Sequence, residues 1–388
     1  MLNPVLQRAL NELGTREHKP IELDSPVPIE ELPTPALVID RNAFSNNLAQ
    51  MSRHVQTHDK GFRPHAKTHK CPEICRQQLA QGAVGVCAAK VSEAAVLVAA
   101  GVESILITSP LTTAAKVLVL RQLLETSDQL AVVVDSTAGL ALLEEYLDAS
   151  HQLGVMIDLD ISMGRTGARE NDLVLSLLAR IEQHSALNFR GFQHYAGHVM
   201  HIHGWEKRRA KSLKLWDQVR ERLNNMGVTY PVLTGGGTGT YNIDMEVPEL
   251  TDIQVGSYVF MDEEYRQIGS ATGERFDDFA VSLTLLCTAI SQPSQQAITL
   301  DGGYKAMASE TVMPVSDDLA ETRFRFAGDE HGVLLSEAAL QAVKLGQQVR
   351  LVTPHCDPTA NLHDMYWIQE ADGLIHSGWP ISARGCSW

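Results

Sequence analysis

Residues 62–73 read FRPHAKTHKCPE and gather Arg63, Lys67 and Lys70 around His65 and His69, in a chain whose formal net charge is −15. A lysine at the mouth of an apolar strand, partly withdrawn from water, has its ammonium form disfavoured and becomes a Schiff-base nucleophile. The bland alternative is a solvated basic loop, since lysine is seldom buried. Thr234 to Thr240, TGGGTGT, follows the apolar PVL. Its glycines let backbone N–H groups close on an anion, and Gly256, Ser257 and Tyr258 of QVGSYVFMD offer further N–H and hydroxyl donors. A flexible turn has the same composition. A reactive lysine and a phosphate cup together are what pyridoxal 5′-phosphate requires.

Three further clusters carry chemistry. DLDISMGRTG, residues 158–167, ends an apolar run with Arg165, whose guanidinium can donate to an anionic oxygen or pair with a neighbouring carboxylate. GFQHYAGHVMHIHGW, residues 191–205, carries Tyr195, His198, His201 and His203, too many polar rings for a core; at least one suits acid–base work near neutral pH. In PHCDPTANLHD, residues 354–364, His355 and Asp357 project from one face if the segment is a strand, and Cys356 from the other. An imidazole with a carboxylate suits Mn²⁺ or Mg²⁺ better than Zn²⁺. An Asx-type turn at Asp-Pro-Thr is the alternative.

These residues need a scaffold that brings distant loops together. From Thr34 to about Tyr265, short apolar runs alternate with helix-length segments: TPALVID, GFRPHAK, VGVC, SILIT, LAVVVD, GVMIDLD, FRGFQHY and PVLTGG. Runs apolar on both faces are the mark of a covered parallel sheet, and eight of them predict a (β/α)₈ barrel with its site at the strand C-termini. After about residue 270 the pattern changes to strand-like runs separated by turn residues, from AVSLTLLCTAIS to MYWIQEADGLI. The expected organisation is an N-terminal segment 1–30 packing on the β domain, a cofactor-binding barrel 31–270, and a β domain 271–388 carrying His355 and Asp357.

With 47 acidic against 32 basic residues, the chain has no electrostatic basis for binding nucleic acid or an anionic membrane, which leaves a small-molecule partner. Its longest apolar run, AAVLVAAGV, is well short of the ~20 residues that span a bilayer. The start MLNPVLQRALNELG forms an amphipathic helix, with Val5, Leu6, Ala9, Leu10 and Leu13 on one face, rather than a secretory signal. Six scattered cysteines fit reduced thiols in the cytoplasm.

Taken in order, TPALVID, RPHAKTHKCPEI, KVSEA, GRTG, TGGGTGT, VGSYVFMD, DEHG, HCDPT and WPISARG make the chain from Thr34 onward resemble one known group. It is the D-threonine aldolase and D-serine dehydratase-like family of fold-type III pyridoxal-phosphate enzymes, distant relatives of alanine racemase. The resemblance implies that Lys67 bonds the cofactor, that Gly236, Gly237, Thr238, Gly256 and Ser257 hold its phosphate, and that Arg165 and Tyr195 flank its ring. It further implies that His355 and Asp357 bind a divalent metal beside the substrate β-hydroxyl, that His201 takes the hydroxyl proton, and that the protein is a homodimer. The implied activity is metal-dependent cleavage of D-β-hydroxy-α-amino acids to glycine and an aldehyde.

The rivals are dehydration of D-serine or D-3-hydroxyaspartate to a 2-oxo acid and ammonia, a non-catalytic cofactor carrier, and a racemase. Dehydratases of this kind place cysteine where Asp357 stands and favour zinc. Two positions depart from the aldolase pattern: Met200 replaces a glutamine, and His198 is an added histidine able to face a second substrate carboxylate.

Overall fold

A computed structural model describes residues 2–308, 311–319, 322–336 and 343–388. Eight parallel strands make one sheet: Gly61–Phe62, Val86–Ala88, Ile105–Ile107, Leu130–Val134, Leu153–Asp158, Leu187–His194, Leu233–Gly235 and Asp252–Ile253. The first and second of them close the ring, because Val84 donates its N–H to Phe62 O at 3.0 Å and Cys87 donates to Pro64 O at 2.8 Å. Most of these strands are buried on both faces, which is why their sequences are continuous apolar runs rather than alternating ones.

The helices between the strands start where side chains can satisfy free N–H groups. Asp40 accepts from Ala43 N at 2.8 Å to open Arg41–Thr57, and Pro72 occupies the first turn of Pro72–Ala80, where its missing N–H costs nothing. Trp205–Met226 ends at Gly227, whose φ of +63° is the left-handed C-terminal cap that glycine adopts without strain.

The membership of the barrel differs from expectation at one strand. TPALVID lies in the second sheet as Ala36–Asp40, antiparallel to Leu283–Ser294 and parallel to Met365–Gln369. A strand covered on both faces looks the same in either sheet, so its apolar run does not reveal its partners. Its barrel place is taken by Asp252–Ile253, which at two residues is too short to produce a pattern. The second sheet runs Ile21–Pro28, Leu374–Pro380, Met365–Gln369, Ala36–Asp40, Leu283–Ser294, Ala297–Leu300, Gly332–Leu335, Arg323–Phe326, with Gln348–Val352 also pairing Leu283–Ser294. Within the N-terminal segment 1–30, the helix Pro4–Gly14 packs on the barrel helix Val91–Ala99 and the strand Ile21–Pro28 pairs with Leu374–Pro380 of this sheet. Among the described residues no helix is long and apolar enough to cross a membrane.

Candidate active site

Five loops leave the C-terminal ends of barrel strands and carry the residues singled out above. Lys67 stands in the helical turn Ala66–Thr68, Arg165 follows Leu153–Asp158, Tyr195 follows Leu187–His194, Gly236 follows Leu233–Gly235, and Gly256 follows Asp252–Ile253. The second sheet delivers a sixth group, since Gln348–Val352 leads directly to His355.

Lys67 Nζ meets Asp357 Oδ2 at 2.5 Å. Burial opposes the lysine charge, but the Asp357 carboxylate outweighs burial and holds the ammonium pKa above its ordinary range. The lowered pKa expected for Lys67 is therefore not found in the chain by itself. For Asp357, burial would raise the pKa, but the Lys67 and His355 charges and hydrogen bonds from Lys67 and Thr68 hold it well below the usual carboxylate range. The Lys67 side chain keeps 41% of its surface accessible, so the pair is open to a ligand from the barrel mouth. His65 accepts from Lys67 N at 3.4 Å, its ring neutralised by burial, and thus shapes the lysine turn without competing for its charge.

Beside this pair the two glycine-bearing loops form a cup. The N–H groups of Thr238, Gly239, Gly256 and Ser257 have no acceptor among the described residues. Buried backbone donors are nearly always paired, so those of Thr238, Gly239 and Ser257, with half-buried Gly256 beside them, mark a seat for an anion in two adjoining loops. Glycine is required here by space: a Cβ on Gly236 would lie 2.1 Å from Asp244 Oδ2, and one on Gly256 would lie 2.4 Å from Thr68 Oγ1. Tyr258 is a neighbour of the cup rather than a donor to it, because its N–H goes to Thr238 Oγ1 at 3.1 Å and its hydroxyl accepts from Gln78 at 3.3 Å. A phosphate-bearing aldehyde fits this cup and lysine.

The segment after Gln348–Val352 does not continue as a strand. His355 caps the short helix Cys356–Ala360 and Asp357 lies in its first turn, because Pro358 and Thr359 favour turning. The expectation that Cys356 faces away from His355 fails with that strand. His355 Nδ1 donates to Asp262 Oδ2 at 2.9 Å, and the same oxygen accepts Cys356 N at 2.9 Å. Ligand atoms of Asp262, His355 and Cys356 all lie within 4.8 Å of one another, a possible metal site. Burial opposes the His355 charge, yet the Asp262 hydrogen bond and the carboxylates of Asp357, Asp262 and Glu264 raise its pKa to about 9. That concentration of negative charge is what a divalent cation would neutralise.

His201 joins this cluster, its ring centroid 6.2 Å from that of His355 and 4.5 Å from that of Tyr265. Its Nδ1 is buried with no hydrogen-bond partner among the described residues, and Glu264 Oε1 stands 3.9 Å away. Burial lowers its pKa, with Glu264 acting in the opposite sense, which favours a neutral ring able to accept a proton. Arg165 lies with Cζ 5.2 Å from the Tyr195 ring centroid, so those two residues meet at the mouth. His198 is exposed and near Ser162 at 3.4 Å, whereas Met200 is buried behind the cup, its sulfur 3.7 Å from Thr240 Oγ1. The exchange at Met200 therefore touches the phosphate loop from behind. Asp262, Glu264 and Thr68 belong to the site without a signal in spacing; an Asp-Glu-Glu run after an apolar turn looks like a helix start, which it also is.

A family profile described as alanine racemase, N-terminal domain, matches residues 39–264, and a serine dehydratase domain profile matches residues 282–369. The chain is 36% identical to a D-threonine aldolase of an Arthrobacter species over 364 residues, covering 93% of this chain and 95% of that protein. It is 31% identical to a 3-hydroxy-D-aspartate aldolase of Paracoccus denitrificans (strain Pd 1222), covering 92% and 93% respectively. The crystal structure of D-threonine aldolase from Filomicrobium marinum superposes with a TM-score of 0.88 at 32% identity, covering 96% of this chain and 100% of that one.

Proposed function

The chain belongs to the alanine-racemase-fold family that includes the D-threonine aldolases, and from that premise we propose that it cleaves D-β-hydroxy-α-amino acids between Cα and Cβ to give glycine and an aldehyde. The observation that carries this reading is the meeting of Lys67 and Asp357 at 2.5 Å between the cup of N–H donors and the His355 cluster. Pyridoxal phosphate, when bound, supplies an electron sink for the pair left on Cα after cleavage.

The chain's own residues do the rest. Lys67 provides the amine that bonds the cofactor, Thr238, Gly239, Gly256 and Ser257 offer N–H groups to its phosphate, and Arg165 and Tyr195 bound its ring. Gly236 and Gly237 leave the room that the seat needs. His355, oriented by Asp262, and Asp357 would hold a divalent cation, Mn²⁺ or Mg²⁺ by donor chemistry, which acidifies a β-hydroxyl. His201, with a free Nδ1, receives the hydroxyl proton as the Cα–Cβ bond breaks. We also infer a cytoplasmic homodimer, from six unpaired buried cysteines for the compartment and from family resemblance for the dimer.

One observation favours a second reading. Cys356 shares the Asp262 and His355 pocket, so a sulfur donor is available to a softer metal, the donor type associated with dehydration, although burial and the Asp262 and Asp357 charges push its thiol pKa up. Incubation with D-threonine, D-serine and D-3-hydroxyaspartate, with products identified by mass spectrometry and a chelated control, separates the two. Glycine and an aldehyde, lost on chelation, are expected; a 2-oxo acid and ammonia would replace the aldolase with the dehydratase.

A further inference from the structure

We propose that Arg208 is a positioning residue that ties the cofactor's phosphate seat to the segments carrying His201 and Glu264, an inference that rests on the cofactor reading above. Arg208 has no exposed surface, and its guanidinium donates only to backbone carbonyls: Nε to Gly239 at 2.7 Å, Nη1 to Ile202 at 2.7 Å and to Ile268 at 2.8 Å, and Nη2 to Gly269 at 2.6 Å. Among the described residues no carboxylate oxygen lies within 4.0 Å of it. A buried guanidinium with no carboxylate in contact is costly unless its N–H groups are satisfied, and burial depresses its pKa to about 10, with the more distant Asp278 charge acting in the opposite sense.

The acceptors explain why the fold keeps such a group. Gly239 belongs to the cup, Ile202 directly follows His201, and Ile268 and Gly269 follow the helix Glu263–Arg266, whose Glu264 lies 3.9 Å from His201 and 3.3 Å from His355. One planar fork therefore fixes three loops that have different site functions. The same helix face continues the grip. Ser212 and Trp216, four and eight residues on, donate to Asp244 Oδ1 at 2.9 Å each, and Asp244 Oδ2 accepts Thr240 Oγ1 at 2.5 Å. Arg208 holds the cup from one side and Asp244 from the other. A plain helix anchor needs no charge; a positive charge behind an anion seat, balanced only at longer range by the Asp278 carboxylate, adds attraction for the phosphate.

The test compares wild type with Arg208→Lys, which keeps the charge but not the four-way fork, and Arg208→Gln, which removes the charge. Each is titrated with pyridoxal phosphate and with pyridoxal, which lacks the phosphate, following the absorbance of the lysine-bound cofactor; kcat and KM for D-threonine are measured at saturating cofactor. Phosphate-cofactor affinity is expected to fall at least tenfold in Arg208→Lys and further in Arg208→Gln, with pyridoxal affinity nearly unchanged and kcat reduced more than KM is raised. Affinity within twofold of wild type, or equal weakening of both cofactor forms, overturns the inference.

If neither variant folds, hydrogen exchange on wild type decides. Cofactor must protect residues 202–204 and 268–270 together with 238–240, and protection confined to 238–240 overturns the tie. A wild-type chain that takes up no cofactor overturns the cofactor reading and this inference with it, whereas an absent variant effect in a cofactor-competent chain overturns this inference alone.

Discussion

Alanine at Gly236 should nearly abolish cofactor binding, while alanine at its neighbour Gly237 should leave most of it. Gly236 has a φ of +68°, where an L-residue costs about 1–2 kcal/mol. Its added Cβ would fall 2.1 Å from Asp244 Oδ2. Asp244 cannot retreat cheaply, since Ser212, Trp216 and Thr240 all donate to it inside the protein, and displacing one buried hydrogen bond costs about 1–3 kcal/mol. Together these give about 2–5 kcal/mol, or roughly 30-fold to several thousand-fold in affinity if the strain falls on the bound state.

Gly237 differs on both counts. Its φ of −175° is extended backbone open to any residue, and its Cβ would meet the Met200 sulfur at 2.7 Å, part of a flexible side chain. A rotamer adjustment there costs about 0.5–1.5 kcal/mol, roughly tenfold at most. Absorbance titration of each variant with pyridoxal phosphate, alongside thermal melting to confirm folding, measures the difference. Equal losses in the two variants, or wild-type affinity in Gly236→Ala, would refute the assignment of this loop as a rigid seat.

The metal cluster predicts that Asp262→Asn lowers divalent-metal affinity by about 10- to 100-fold, the usual effect of losing the carboxylate that orients a ligating histidine, as read by chelator competition on cofactor-loaded protein. In the same assay Asp357→Asn should weaken Mn²⁺ binding by at least tenfold and Cys356→Ser by less than twofold; the reverse order would give the thiol the metal. Lys70 and Glu93 form a buried pair at 3.3 Å, so Glu93→Gln leaves a buried ammonium unmatched and should cost about 3–5 kcal/mol in denaturant titration, with a loss under 1 kcal/mol showing that the pair is hydrated. Asp244 has its pKa raised to about 6, chiefly by burial, so the folded chain binds the proton more tightly than the unfolded one. Its contribution to stability must then fall as pH rises from about 4 to 6, by about 3 kcal/mol for two pH units, relative to Asp244→Asn. A pH-independent difference between the two proteins would remove that assignment.

How far the sequence discloses this fold follows from how each element is made. Apolar runs mark covered strands well, so the eight-stranded barrel and the later β-rich region are both legible. What such runs lack is any record of the neighbour, which is why Ala36–Asp40 could be placed in the barrel although it pairs with Leu283–Ser294 and Met365–Gln369. Asp252–Ile253 shows the converse: two residues complete the ring through pairing with Thr234–Gly235 and Gly61–Phe62, and no periodicity can be seen in two residues.

The site divides along the same line. Lys67, the glycine loops and His355 are legible because each needs a residue type that few other demands select. Asp262, Arg208 and Asp244 are not, because an acid at a helix start or an arginine in a charged helix is what any surface offers. Their roles arise from burial, which spacing does not show: Asp262 and Asp244 have no exposed surface, and Arg208 has none either. The Cys356 case turns on one torsional choice. With Pro358 following, His355 to Asp357 bends into a helical turn, and a two-residue periodicity that assigns faces on a strand assigns nothing there. Chemistry-bearing side chains are thus readable from composition and order, but the groups that hold them in place become visible only when the chain has closed around them.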